Sequence, residues 1–224
     1  MPPLSCSTRF ATLLACGALA ACASTQPVPY AGIASSRQLQ PRTHDETGHI
    51  PYDYSSGAEL RAYSKFNVDP VVIYRGADGQ FEDISEQDKN ELARYMQTTF
   101  TARLAALSTT GTGAHAQAQA LRIRLTLTGA RENTPFLSTL SRFDLLGGPY
   151  NAVQAARGKE GALTGSVSFA VEIYSASTNE LLAAYVSKEY PNAWNLGASI
   201  GSLSASKTGI DKGADELVAF LAKH

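Results

Sequence analysis

One serine of this chain lies in the sequence pattern of a nucleophile elbow. Ser199 is the central residue of Gly197-Ala198-Ser199-Ile200-Gly201. Asp211 or Asp215 and then His224 follow in the chain order that an α/β-hydrolase uses. The elbow needs a strand directly before the serine and a helix directly after it, and the local sequence indicates neither. We interpret the match as chance in a loop rich in Gly and Ser, with an esterase-like hydrolase using Ser199 as the less favoured alternative.

A second group of side chains has metal-ligand chemistry. It consists of His44, Asp45, Glu46 and His49, and imidazole and carboxylate groups are ligands of zinc and related ions. These residues fall in a segment without helical or strand periodicity, so no regular element fixes their geometry. We therefore expect at most a weak, adventitious site and predict no metal centre.

The remaining polar candidates give no catalytic constellation. His115 stands alone in a predicted loop, where a solvated role is the simpler interpretation. Glu132 and Asp144 are separated by an irregular segment, whereas paired-carboxylate catalysis needs two groups held across a cleft. No glycine-rich loop followed by Lys and Ser or Thr is present in the sequence. We expect neither a catalytic residue nor a cofactor.

The most specific chemical signal is a cysteine that ends an apolar run. Arg9 precedes the apolar stretch of residues 11–21, which is too short to span a bilayer as a helix and is typical of a signal peptide. The sequence Leu19-Ala20-Ala21-Cys22 resembles the lipobox of bacterial lipoprotein precursors. The resemblance implies cleavage between Ala21 and Cys22 and acyl chains on the Cys22 thiol.

Two alternatives to this interpretation are weaker. Leu13-Leu14-Ala15-Cys16 leaves only about six residues after Arg9, whereas h-regions run about 7 to 15 residues. An ordinary buried thiol at Cys22 does not explain the apolar run before it. Ala23 is not the aspartate that in lipoproteins signals retention in the inner membrane, so the resemblance implies the outer membrane, on its periplasmic face.

Charge and composition exclude other classes of protein. Removal of residues 1–21 takes one of the 19 basic residues and none of the 20 acidic ones, which leaves a formal net charge of −2. Nucleic-acid binding needs a concentrated positive face, so we expect no nucleic-acid partner. The roughly 200 residues that remain suffice for one domain with a substantial core.

Residues 22–51 are rich in Ser, Thr, Pro, Gln and Arg and show no period, which predicts a lipidated N-terminus and a flexible tether. A single periplasmic domain is then predicted over residues 52–224. Its first strand is expected over Phe66–Tyr74, with Pro70 at a strand start or an edge because proline donates no ladder hydrogen bond.

Two amphipathic helices are predicted. Ser85 and Asp88 have the spacing of a variant capping box in front of the first helix. Apolar residues then recur at helical spacing, and a second such stripe lies near the C-terminus, which indicates core packing rather than a cofactor site. The first stripe is Leu92, Met96, Phe100, Leu104 and Leu107, and the second is Ile210, Ala214, Leu217, Val218 and Leu221.

Three further strands follow from alternation of apolar and polar residues. Leu121–Leu127 alternates with Arg122 and Arg124, which are either solvated, as we favour, or in contact with acidic groups of a partner. Val167–Ile173 also alternates, and a short connection leads to Leu181–Tyr190, which predicts an antiparallel pair. The order of elements predicts an α+β fold, a four-stranded, mostly antiparallel sheet with both helices packed on one face.

The insert of residues 135–161 is too apolar for an ordinary exposed loop. Its apolar side chains either complete the core at the open end of the sheet, as we favour, or form a surface for a partner protein, a second copy or lipid. The candidate surface residues are Phe136, Leu140, Phe143, Leu145 and Leu146, with Leu137 beside them.

Several segments together resemble a known family. They are Val68-Asp69-Pro70-Val71, Leu121–Leu127, Asn133-Thr134-Pro135 with Leu137–Leu140, and Gly165–Ser175 with Leu181–Tyr185. From about Tyr52 to the C-terminus the chain is similar to the bacterial lipoprotein family called domain of unknown function 3313. The resemblance implies an envelope lipoprotein and supplies no activity or catalytic residues. We expect a non-enzymatic binding or assembly component, with a carrier of lipid or another apolar ligand as an alternative.

Overall fold

The computed structural model of the chain describes residues 25–43, 49–110, 119–132, 165–191 and 201–224. Three long strands form the centre of its sheet. β6 (Ala120–Arg131) pairs antiparallel with β7 (Ser166–Ser175), and β7 pairs antiparallel with β8 (Leu181–Glu189). The alternation predicted for β6 is confirmed, since the apolar side chains of Leu121, Ile123, Leu125 and Leu127 are fully buried. All ten positions of β7 are buried, so both faces of the sheet are covered at this strand.

Short strands extend the sheet at both edges. β1 (Gln40–Pro41) and β2 (Tyr52–Ser55) pair antiparallel beside β8. At the opposite edge, three strands run parallel to β6 and follow one another along it. They are β3 (Lys65–Val68), β4 (Val72–Ile73) and β5 (Gln80–Glu82).

The α+β class is confirmed, but the four-stranded, mostly antiparallel sheet is wrong, because the described residues form a mixed sheet of eight strands. The predicted strand Phe66–Tyr74 is divided into β3 and β4 at Asp69-Pro70, where proline interrupts the ladder. β1, β2 and β5 contain two to four residues each, too few to show a period of two. β5 is joined to β6 through a helix, which is the connection that parallel strands require.

Two long helices pack on one face of the sheet, as predicted. α1 (Glu86–Thr110) begins after Ser85, whose Oγ accepts a 3.1 Å hydrogen bond from the backbone N–H of Asp88. α2 (Ser204–Lys223) ends beside a short 3-10 helix, Leu60–Ala62, where the N–H of Leu60 donates to the carbonyl of His224. The predicted stripes of both helices join the apolar side chains of the central strands in one core.

The N-terminal segment, residues 25–43, covers the other face of the sheet. Tyr30, Ile33 and Leu39 are buried there against Tyr74 and against small strand residues such as Ala170. This differs from the flexible tether expected over residues 22–51. The segment has no repeating pattern because it crosses the strands as an irregular chain, and its few apolar side chains are buried only when the sheet beneath it has formed.

None of the helices in the described ranges combines the length and the apolar character that a membrane crossing needs.

Candidate functional site

Three elements bring charged side chains together at one end of the sheet. β8 places Tyr185, Ser187 and Glu189 on its helix-facing side, because side chains alternate along a strand. α2 places Lys212 and Glu216 one turn apart, opposite this strand. The chain before β2 adds His49, whose carbonyl accepts a 2.9 Å hydrogen bond from the backbone N–H of Lys188. We call the group His49, Glu189, Lys212 and Glu216 the Glu189 cluster.

Glu189 is the centre of this cluster and is fully buried. Its Oε2 lies 3.1 Å from His49 Nδ1 and 3.0 Å from Lys212 Nζ. The hydroxyl of Ser187 donates a 2.6 Å hydrogen bond to Oε1. The ring of Tyr190 packs on the His49 imidazole with a centroid distance of 4.5 Å. Both carboxylate oxygens are therefore paired, and the imidazole is held in one orientation.

The pKa values of the two carboxyl groups in the cluster are shifted in opposite directions. Burial disfavours the Glu189 carboxylate, but the hydrogen bond and charge of His49 and the charge of Lys212 hold the pKa of Glu189 below its usual range. Burial and then the negative charge of Glu189 raise the pKa of Glu216 to about 7. Burial, followed by the charges of Glu216 and Glu189, also raises the pKa of Tyr185 well above its ordinary value. One carboxyl of the cluster thus takes up or releases a proton near neutral pH.

The cluster is also where donor atoms suitable for a metal ion converge. His49, Glu189 and Glu216 each offer one ligand atom, and these atoms lie within 4.8 Å of one another. The Lys212 ammonium contacts all three groups, at 3.2 Å from His49 Nδ1, 3.0 Å from Glu189 Oε2 and 3.7 Å from Glu216 Oε1. An ammonium group of the chain itself therefore lies beside all three donors and offsets part of their negative charge.

A second feature is a groove on the sheet face opposite the helices. It has a volume of about 690 Å³ and lies between residues 32–34 of the N-terminal segment and the chain around β4. Asp69, Arg75, Arg124 and Glu172 supply its charged groups, and apolar side chains such as Ile33 and Val72 line much of the rest. The buried Glu172 carboxylate accepts a 2.6 Å hydrogen bond from the backbone N–H of Ser35. The groove can therefore receive a small group that is mainly apolar.

The two arginines of β6 are not fully solvated, and one of them, Arg124, lines this groove. Arg122 Nε and Arg124 Nε are 3.5 Å and 3.8 Å from Asp69 Oδ2. Both guanidinium groups also face the ring of Tyr174, at 5.0 Å and 5.5 Å from its centroid. Asp69 and Tyr174 of the same chain therefore compensate much of the positive charge of both arginines.

The structure does not bring together the acid and base candidates of the elbow motif. The Asp211 carboxylate accepts from the Tyr95 hydroxyl at 3.0 Å, and Asp215 pairs with Arg103 at 2.7 Å. His224 follows Asp215 by nine residues along α2, roughly 13 Å at a rise of about 1.5 Å per residue, which is too far for a hydrogen bond. Ser199 itself lies outside the described residues.

Several predicted residues also lie outside the described ranges. They are Ala21 and Cys22 of the cleavage site, His44, Asp45, Glu46, His115, Asp144, and the apolar insert residues Phe136, Leu137, Leu140, Phe143, Leu145 and Leu146. Of the four-residue metal group, His49 is described, and it belongs to the Glu189 cluster instead. The sequence interpretation missed Glu189, Lys212 and Glu216. The signal that could have found Glu189 is its position in the same alternating phase as the buried Tyr185 and Ser187.

Comparison with known protein families shows to which family the chain belongs. Residues 29–217 match the family described as "Protein of unknown function (DUF3313)". The chain belongs to the DUF3313 family. The predicted family resemblance is thereby confirmed, and the match begins well before Tyr52, where the sequence analysis placed the start of the domain. It includes most of the N-terminal segment that packs on the sheet.

No curated protein matches this DUF3313 chain. Among solved structures, it is similar to a dodecamer of a PelC variant from Paraburkholderia phytofirmans. The TM-score is 0.36 and the sequence identity is 12%, over 71% of this chain and 89% of that chain. At this level the similarity carries no argument about function or assembly.

Proposed function

We propose that this DUF3313 protein is a lipoprotein of the bacterial outer membrane, anchored by acyl chains on Cys22 and facing the periplasm. Its folded domain serves as a non-enzymatic binding or assembly component of the cell envelope. The partner is an envelope protein or a second copy of the chain, and nucleic acid is not among its partners. The net charge of −2 after removal of residues 1–21 supports this last point.

The observation that carries the proposal is how close to Cys22 the chain contacts the folded domain. Thr25 is already fastened to the domain, because its carbonyl accepts a 2.9 Å hydrogen bond from Lys188 Nζ. Cleavage between Ala21 and Cys22 would keep the packed segment of residues 25–43 in the mature chain and place the modified thiol three residues before Thr25.

Metabolic labelling with a palmitate analogue tests the anchor. We expect label on the wild-type chain, loss of label and accumulation of the precursor with Cys22→Ser, and retention of label with the matched variant Cys16→Ser. On a density gradient the labelled protein should sediment with outer-membrane markers. Label that persists after Cys22→Ser, or an uncleaved chain found in the cytoplasm, would overturn the proposal.

The binding role is supported by the groove and by the separation of the catalytic candidates. Asp215 and His224 lie too far apart to act as an acid–base pair, so the described residues provide no support for Ser199 as a nucleophile. Labelling with a fluorophosphonate probe tests this point directly. We expect no label that depends on Ser199, and labelling lost in Ser199→Ala would instead favour the hydrolase.

Partner contact is tested in intact cells with a photocrosslinker. The insert residues Phe136, Leu140, Phe143, Leu145 and Leu146 remain our candidate contact surface. A crosslinker at Leu145 should yield a discrete adduct with an envelope protein or with a second copy. A crosslinker at Thr178, in the turn between β7 and β8, serves as the control that yields none. Absence of any adduct at Leu145 would contradict the assembly role of this surface.

Carriage of an apolar ligand is a second candidate function, favoured by the groove of about 690 Å³. Native mass spectrometry of the purified protein should then show a retained lipid or similar molecule. Val72→Asp places a charge in the groove and should release that molecule. Val28→Asp, also at an exposed valine but outside the groove lining, should not.

A further inference from the structure

We infer that the domain sits directly on the bilayer, with the end of the sheet that carries Thr25, Glu82 and Lys188 turned toward the lipid headgroups. The inference rests on the proposed lipid attachment at Cys22. It replaces the expected long tether by a short one, which fixes both the distance and the orientation of the domain.

The chain is bound to the domain as early as Thr25. The Thr25 hydroxyl donates to Glu82 Oε1 at 3.3 Å, and its carbonyl accepts from Lys188 Nζ at 2.9 Å. The carbonyl of Gln26 accepts a 2.7 Å hydrogen bond from Gln80 Nε2. Tyr30 follows with a fully buried ring. These contacts tie the segment to β5 on one side and to β8 on the other.

Only a short length of chain separates the acylated residue from the domain. Thr25 follows Cys22 by three residues, and a fully extended chain spans at most about 3.6 Å per residue, or roughly 11 Å in all. A tether that ran to Tyr52 would cover 30 residues and could reach roughly 100 Å. Whatever conformation the short connection adopts, Thr25 therefore stays within roughly 11 Å of the acylated residue.

The residues that hold Thr25 all lie at one end of the sheet. Glu82 pairs with Arg131 across β5 and β6, and Arg131 pairs with Ser166 across β6 and β7. Val167 pairs with Glu189 across β7 and β8, so these strand ends lie together with Lys188 and Thr25. We call this the Thr25 end. The turn between β7 and β8 lies at the opposite end, about 30 Å away for the ten residues of β7.

The charges at the Thr25 end do not by themselves attract an anionic surface. Glu82 and Glu189 are acidic, and Arg131 and Lys188 are basic, so the two signs are mixed along the strand ends. These described strand ends form no basic cluster of the kind that draws proteins to anionic lipids. Chain length rather than charge sets the orientation, and it should persist on vesicles of phosphatidylcholine and at high salt.

Fluorescence transfer from the protein to acceptor-labelled headgroups tests the orientation. The mature lipidated protein is reconstituted in phosphatidylcholine vesicles and labelled at a single added cysteine. Cys6 and Cys16 are removed with residues 1–21, and the thiol of Cys22 is acylated, so the added cysteine is the only free thiol of the mature chain. The two label sites are Glu132→Cys, directly after β6 at the Thr25 end, and Thr178→Cys in the exposed turn at the far end, and neither of these residues holds Thr25. We expect several-fold stronger transfer from position 132 than from position 178.

Two measurements make the test specific. Insertion of 30 Gly and Ser residues between Ala23 and Thr25 supplies a connection of about 30 Å root-mean-square length, and the difference between the two label sites should largely vanish. Mass spectrometry of the same samples reports the acyl chains. A chain without acyl groups would overturn the proposed function and this inference with it. An acylated wild-type chain with equal transfer from both sites would overturn this inference alone.

Discussion

The ammonium group of Lys212 lies 3.0 Å from Oε2 of the fully buried Glu189 and joins helix α2 to strand β8. The same ammonium also contacts His49 Nδ1 at 3.2 Å, so the chain that enters β2 is held at this point as well. The Lys212 side chain is 42% exposed, but Glu189 is fully buried, and removing the ammonium leaves a buried carboxylate with less compensation, which costs more than losing a pair in which both groups are exposed. The Glu189 cluster is therefore expected to stabilise the packing of three elements at the Thr25 end.

Lys212→Met tests this role. The substitution leaves the Glu189 and Glu216 carboxylates facing each other without the ammonium between them, and we expect the free energy of unfolding to fall by about 2 to 4 kcal/mol at pH 7. Lys207→Met is the matched control on the same helix, because Lys207 pairs with the half-exposed Glu91 at 2.6 Å. Its loss should be below about 1 kcal/mol. Equal losses in urea denaturation of the two variants would contradict a central role of Lys212.

Glu216 makes stability depend on pH. Its pKa is about 7 in the folded protein, against an ordinary value of 4.5, so the folded chain binds more protons than the unfolded chain between these values. The free energy of unfolding should therefore fall as the pH rises from 4.5 to about 7. Glu189, whose pKa is lowered, acts in the opposite sense below 4.5, where its contribution is lost as the pH falls.

Glu216→Gln should flatten the pH dependence above pH 5. Because the Glu216 side chain is partly exposed, we expect the variant to exceed the wild-type chain in stability at pH 8 by only about 1 kcal/mol. Asp215→Asn, which alters the neighbouring exposed carboxylate, should leave the dependence of the free energy of unfolding on pH unchanged. Denaturation curves at pH 5, 6, 7 and 8 measure both. A wild-type slope that survives in Glu216→Gln would show that another group causes it.

Tyr30→Ala tests whether the N-terminal segment is packed on the sheet or is a flexible tether. The Tyr30 ring is fully buried and lies 5.4 Å from the ring of Tyr74, so its loss should lower the free energy of unfolding by about 3 to 5 kcal/mol. Faster tryptic cleavage at Arg37 and Arg42 should accompany the loss. Val28→Ala, at a largely exposed side chain, is the control and should change stability by less than about 1 kcal/mol. An unchanged stability of Tyr30→Ala would support the tether.

Gly209→Ala tests the close approach of α2 to the sheet. An added Cβ would lie 2.9 Å from the backbone oxygen of Glu189 and 2.8 Å from Val167 Cγ1. We expect a net loss of about 1 to 2 kcal/mol, since overpacking outweighs the gain of about 1 kcal/mol in helix propensity. The neighbouring Thr208→Ala gains propensity without this contact and should be neutral or slightly stabilising. A thermal unfolding midpoint that rises in Gly209→Ala would contradict the close packing.

The long elements could be predicted because their patterns are local. The stripe from Leu92 to Leu107 and the alternation from Leu121 to Leu127 each repeat several times, so a helix and a strand follow from the order of residues alone. The short edge strands contain too few residues to show a repeating pattern, so they could not be predicted in this way. The parallel pairing of β3 to β5 along β6 also depends on partners distant in the chain, such as Lys65 with Ala120.

The candidate site could not be predicted from local sequence patterns, for a related reason. Glu189, Lys212 and Glu216 look like ordinary strand-end and helix-surface charges in the sequence, and His49 looked like part of a group with His44. Only the packing of α2 against β8 and the entry of the chain into β2 bring their polar atoms within 4.8 Å of one another or of the Lys212 ammonium.

The sequence by itself determined the net charge, the two amphipathic helices and the central strands, because each depends on composition or on neighbours along the chain. Cleavage before Cys22 is a prediction made on the same local basis. Tertiary structure alone decided that the segment from Thr25 covers the sheet and that Lys212 meets Glu189. Both depend on surfaces and charges that meet only after distant strands have paired, since neither a buried tyrosine without periodicity nor an isolated glutamate indicates its partner.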